Sequence, residues 1–179
     1  MSEKFLSLLL ISLFLLSPGN HWRNSDPVVF TTQPKLVYAR VVSNEKITLE
    51  GRASLTVTKA NDDDTITGTL VYTIGEDARR KLADLTGYFL EEIPAKYSRE
   101  NVTAKFIKGN TCPTLHLEIA PVELEAAGTT MKIDHIVLDI VETPQQMSQY
   151  FCAWARQINA HRQRGGIIAA INRLINPEN

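Results

Sequence analysis

The chain has 179 residues, 44% of them hydrophobic and 22% charged, and its acidic and basic side chains nearly cancel to a formal net charge of −1. That balance leaves no global field to gather DNA, RNA or anionic lipid, which argues against a nucleic-acid partner. The length suits one compact domain burying roughly 70% of its unfolded surface, enough core to fold without a metal or a disulfide.

In chain order the first element is an apolar run from Phe5 to Leu16, led by Lys4 and followed by Ser17-Pro18-Gly19. A charged lead, a greasy core and a small-residue exit make the pattern of a secretory signal peptide. The run is too short to span a bilayer, because its helical length of roughly 18 Å falls well below a hydrocarbon core of roughly 30 Å. Glu3 offsets Lys4, so an uncleaved amphiphilic anchor is the competing reading, and no Cys ends the run to take a lipid. Residues 1–19 are read as a leader cleaved near Gly19. The mature chain is then expected to be extracytoplasmic, periplasmic or secreted, and to meet a membrane only through an uncleaved leader.

Residues 20–34 are polar and irregular, with Pro27 and Pro34 bracketing the apolar patch Val28 to Phe30. They read as an N-terminal tether or an edge segment, and residues 35–179 as a single domain. From Ile47 to Thr58 apolar or small residues alternate with polar ones without an error, the period of a half-buried strand. Asn61-Asp62-Asp63-Asp64 breaks the pattern and Ile66 to Ile74 restarts it, which predicts two long antiparallel strands around an acidic turn. The Asp run lacks the later bidentate Glu of an EF-hand, so a solvated turn is favoured over calcium.

Glu76 and Asp77 open a helix read over 77–93, where Ala78, Leu82, Leu85, Phe89 and Ile93 form one apolar stripe ended by Pro94. Further strands are expected at 102–108, at 115–124 with a break at Pro121, and at 131–141. The last is apolar on both faces near Ile136-Val137-Leu138, which predicts a central strand covered on both sides. Thr143 as N-cap, Pro144 and Gln146 open a helix over 144–163, Gly165-Gly166 end it, and a last amphipathic helix covers 167–175.

A hairpin near Lys46 leads to a helix near Asp77, and a hairpin near Pro113 leads to a helix near Pro144, both at an offset of 67. Two ββα-like units predict an α+β fold, a mostly antiparallel sheet of long strands covered on one face by helices in two layers. Cys112 and Cys152 are expected either to bridge in an oxidising compartment or to sit as small buried hydrophobes. A bridge closing that loop would stabilise the fold by roughly 3 to 4 kcal/mol and pin the long helix to the start of a strand.

For chemistry, His116 and Glu118 share one strand face and His135 and Asp139 another, so pairing of the strands would bring four metal-capable groups together. Solvated strand polarity is the plainer reading of the same residues. No nucleophile elbow or phosphate-cradling loop is present, no catalytic residue is assigned and no cofactor is expected. Arg156, His161, Arg162 and Arg164 read as a solvated helix end complementing the dipole, and Asn101-Val102-Thr103 is a glycosylation sequon.

Tyr150, Phe151 and Trp154 stripe one helix face, ordinarily as core. Opposite small strand residues Gly51, Ala53 and Gly68, and beside Leu55 and Leu70, they would instead line an apolar pocket. The sequence thus points to an exported, non-enzymatic binding protein carrying a hydrophobic small molecule or lipid between sheet and helices. The alternative is an extracytoplasmic interaction or structural module that holds an envelope protein through a strand edge or the C-terminal helix; a metal-dependent hydrolase comes third.

Overall fold

A computed structural model describes residues 26–177 with the exception of Lys108, so the expected leader lies outside the described residues. The described residues form an antiparallel, sheet-dominated α+β fold with three α-helices among them. Its scaffold is β3 (Asn44–Ala60) paired with β4 (Thr65–Ile74). The period of two puts Leu49, Ala53, Leu55 and Val57 inward with Ile66, Leu70 and Tyr72, all at most 2% exposed. The acidic turn between them is tied by side chains: Asn61 Nδ2 donates to Thr65 Oγ1 and Thr67 Oγ1, and Thr65 Oγ1 to Asp63. It is less solvated than expected, because Asp64 pairs with Arg164 of the distant C-terminal region.

β1 (Phe30–Thr31) and β2 (Lys35–Val41) both pair with β3, so the segment read as a tether or an edge is an edge at Phe30. α1 (Glu76–Thr86) is shorter than the apolar stripe predicts. Gly87 takes a left-handed conformation (φ 76) and returns its N–H to Ala83 O, a helix stop that costs glycine little. Phe89 consequently swings out to 75% exposure, while Ile93 stays buried after a 3₁₀ turn at Leu90–Glu92.

β5 (Lys96–Phe106) pairs with β4, with a bulge that leaves Asn101 at φ 57. The strands expected at 115–124 and 131–141 form one long hairpin, bent at its middle into β6 (Thr114–Ile119) and β7 (Val122–Ala126), β8 (Thr129–Ile133) and β9 (Ile136–Val141). Ala127 and Gly128, both at positive φ, make the two-residue turn that suits strand twist. Register passes unbroken through the bend, from Ile119↔Ile136 to Val122↔Ile133. The buried phase nevertheless slips by one residue on both strands: Leu117 and Ile119 are inward before the bend and Val122 and Leu124 after it.

One half of this hairpin pairs with β5 through Ala104↔Ile119, and the other with β2 through Ala39↔Ile133. The sheet therefore curls until the hairpin links both of its sides. β9, expected at the centre and covered on both faces, ends the pairing order beside β6, with Val137, Asp139 and Val141 only partly buried. Burial alternates through its continuous apolar run, with Ile136, Leu138 and Ile140 inward, and the phase slip falls just before it at exposed Asp134 and His135.

α2 (Gln146–Asn159) begins at an N-cap on Gln145, later than the expected Thr143, because Ser148 Oγ donates to the carbonyls of Thr143 and Gln145 and holds the chain outside the helix there. α2 ends before His161, which turns left-handed at φ 51, and Gly165-Gly166 open α3 (Gly165–Ile175) instead of closing α2. Phe151 packs on Phe30 at 5.0 Å and Trp154 edge-on to Phe106 at 5.1 Å between ring centroids. α3 buries Ile168, Ile171 and Ile175, and is tied to the sheet by Asn172, whose side chain accepts from Ala60 N–H (2.8 Å) and donates to Ala60 O (2.9 Å). Among the described residues no helix is long and apolar enough to cross a membrane.

Candidate functional site

The apolar site expected at Leu55, Leu70, Tyr150, Phe151 and Trp154 falls on filled space. All but the partly buried Tyr150 are 0% exposed. The volume that small strand residues withdraw is occupied: a Cβ at Gly51 would lie 2.4 Å from the Tyr72 ring, and one at Gly68 would lie 3.0 Å from the Leu55 side chain. Tyr72 is fixed there by its hydroxyl, which donates to Leu49 O at 2.7 Å, and burial raises its ionisation well above the ordinary phenol range.

The four polar groups of the second hairpin do come near one another, because β6 and β9 pair antiparallel as their faces require. They divide into two dyads. His116 stands opposite Asp139 with Nδ1 2.7 Å from Oδ1, and Lys35 of β2 reaches the other oxygen at 3.3 Å. Glu118 Oε1 lies 2.7 Å from His135 Nε2. Partial burial pushes the Asp139 carboxyl up, but the hydrogen bonds from His116 and Lys35 outweigh it and hold the group below the usual carboxylate range. The four groups do not gather into one ligand shell, and the one trio of metal-capable atoms found within 4.8 Å among the described residues is Cys112, Glu142 and Cys152. Each carboxylate has been claimed by its own histidine. The two dyads brace the hairpin internally, while Lys35 on Asp139 and Arg40 on Asp134, the latter at 2.7 and 2.8 Å, tie it to β2.

Cys112 and Cys152 are joined, Cα to Cα 5.8 Å, so the bridge ties α2 to the residues just before β6 and removes Cys112 as a nucleophile. Asn159 Nδ2 adds a bond to Asn110 O at 2.7 Å across the same junction. Of the basic cluster, Arg164 caps the start of α3 and pairs with Asp64, while Arg156 lies in the last turn of α2 as expected.

A wide opening lies elsewhere, at a seam of the curled sheet. β5 pairs with β6 only over Ala104 to Phe106, after which β7 diverges from it, leaving a cleft of about 940 Å³ between Ser98 to Thr103 and Ile119 to Glu123. No further strand pairs with Lys96 to Thr103 on that side, nor with β7, among the described residues. No family model, curated protein or solved structure matches this chain. What the site does must be read from its own geometry.

Both walls of the seam are strand edges with backbone groups turned into the gap. Ile74 N–H donates to Ala95 O, which makes 74/95 a hydrogen-bonded pair and, by alternation, leaves the N–H and C=O of Lys96 and Ser98 facing the seam. Val42 N–H donates to Thr130 O, so on β8 the odd-numbered residues bond β7, and Glu123 and Glu125 turn their backbone groups outward. Val102, Ile119 and Val122 form an apolar floor, each at most 9% exposed. Arg99, Glu100, Glu123 and Lys132 form a charged rim of both signs.

Sequence reasoning missed these residues because exposed Arg, Glu and Lys on alternating strands look like any solvated face. Two signals bore on them, Pro121 at the bend and Asn101 at the bulge, the sequon residue that borders the cleft.

Proposed function

We propose that this protein is an extracytoplasmic interaction module that works by holding another polypeptide at an open strand edge, without catalysis. The observation that carries this reading is the seam itself, two facing edges with unpaired backbone groups beside an apolar floor. An unpaired edge is a template for strand addition, and folded proteins that expose one without pairing, covering or blunting it use it for binding or risk aggregation. The disulfide fits an oxidising compartment, and with the leader pattern it supports export to the periplasm or beyond.

The carrier reading keeps one observation, the buried Trp154 Nε1 without an acceptor. It asks for space between sheet and helices that Phe30, Phe106, Phe151 and Tyr72 fill, and for the two-layer arrangement with helices over one face. The interaction reading needs no displacement of the core.

A photo-crosslinking residue placed at Glu123 in the full chain, expressed in its native host, tests the proposal. It should give a defined covalent adduct with a partner polypeptide, where the same probe at exposed Lys59 on the far side of β3 gives none. Equal yields at both positions, or an adduct with lipid alone, would remove the reading.

A further inference from the structure

We infer that the seam accepts one extended strand of a partner polypeptide, inserted between β5 and β7 and paired through its backbone to both; this rests on the interaction reading above. The gap is a wedge. Its apex is the last β5–β6 pair at Ala104↔Ile119, and from there β5 runs back toward Lys96 while β7 runs forward toward Ala126. Strand neighbours stand about 4.8 Å apart, so an inserted strand needs walls two such spacings apart and belongs toward the open end, away from the Ala104↔Ile119 apex.

The two walls run in opposite directions, so the insert is antiparallel to one and parallel to the other. Its length is set by the shorter wall, the five residues of β7. Side chains at alternate positions of the insert point to opposite faces. Those pointing inward meet Val102, Ile119 and Val122 and must be apolar. Those pointing outward lie among Glu100, Glu123 and Glu125 and the basic Lys96, Arg99 and Lys132 beside them, so polar side chains of either charge find a partner there.

A compact small molecule would leave the backbone donors and acceptors of both walls without partners. A free-standing strand satisfies both rows at once.

The probe for the test is a synthetic ten-residue peptide alternating valine with lysine and threonine, added to the full oxidised chain and read by amide hydrogen exchange. The amides of Lys96, Ser98, Glu123 and Glu125 should exchange freely in the protein alone and slow at least tenfold with the peptide. Ser98→Pro and Glu123→Pro remove backbone donors that face the seam, positions where an edge strand tolerates proline, and Glu123→Gln accounts separately for the carboxylate that the second also removes. Ser98→Pro against the unaltered chain, and Glu123→Pro against Glu123→Gln, should each weaken peptide binding about fivefold, the weight of roughly one net backbone hydrogen bond. Where a proline variant fails to fold, the exchange pattern of the unaltered chain decides.

Seam amides already protected in the free protein would overturn both the inference and the interaction reading that supports it. Peptide that binds with protection elsewhere, or with full affinity to both proline variants, would overturn insertion alone and leave an interaction module of another geometry. A peptide that does not bind at all would likewise overturn insertion of an apolar-alternating strand.

Discussion

At the scale of single residues, the interior is set by where side chains are missing. Gly68 faces Thr56 O at 2.4 Å from where a Cβ would stand, and that neighbour is backbone of the paired strand, which cannot give without opening the ladder. Gly68→Ala should therefore destabilise by about 1 to 3 kcal/mol, the usual cost of overpacking a tight core; a urea midpoint equal to that of the unaltered protein would show that the ladder relaxes. Asp139 makes a different kind of statement. Its folded-state ionisation is held below the unfolded value of about 3.9. A carboxylate shifted in that direction contributes stability above its unfolded pKa, and the contribution is lost as pH falls through the lowered one. The stability gap between the unaltered chain and Asp139→Asn should accordingly be widest above about pH 4 and shrink on acidification. Urea midpoints taken from pH 2 to 6 check this, and a gap that stays constant would mean the charge itself does nothing.

At the scale of elements, strands announced themselves better than helices ended. The alternation of β3 and β4 could be read directly because each has one dry face and one wet face. Helix boundaries were set by single residues whose effect is conformational: Gly87 stopped α1, and His161, not Gly165, turned the chain out of α2. β2 escaped because Leu36 and Tyr38 are exposed, at 48% and 53%, so its apolar residues do not mark its buried side. The His116, Glu118, His135 and Asp139 grouping was legible from strand faces, but the choice of partners was not, since that depends on register. α3 illustrates how one polar side chain docks an element. Asn172 imitates a strand neighbour to Ala60, taking and giving one backbone bond. Asn172→Ala strands both groups of Ala60 at a partly buried position, which should cost about 1 to 3 kcal/mol. Faster exchange of the Ala60 amide, with α2 amides unchanged, is the accompanying signature; unchanged exchange would mean that water replaces the side chain without loss.

At the scale of the whole molecule, closure of the sheet rests on contacts between segments far apart in sequence. The hairpin of β6 to β9 reaches β5 on one side and β2 on the other, and no local pattern in either strand reports its two destinations. The seam is a product of that closure: the hairpin bends at Pro121 and leaves β5 before β5 has ended. The C-terminal helix belongs to the same economy of long-range contacts. Read from the sequence as one surface that could hold an envelope protein, α3 is itself clamped at three places, by Arg164 to Asp64, by Asn172 to Ala60, and by Leu174 O, which accepts from Val28 N–H at 2.8 Å. Removing residues 166–179 deletes the buried Ile168, Ile171 and Ile175 together with two of those clamps. Each large aliphatic side chain lost from a core typically costs about 2 to 5 kcal/mol, against a total stability of about 5 to 15 kcal/mol for a domain. The truncated chain should therefore lose its cooperative thermal transition and its near-ultraviolet circular dichroism. If it instead melts cooperatively with the tertiary signal intact, α3 is an appendage after all, and a binding role for that helix returns as the competitor of the seam.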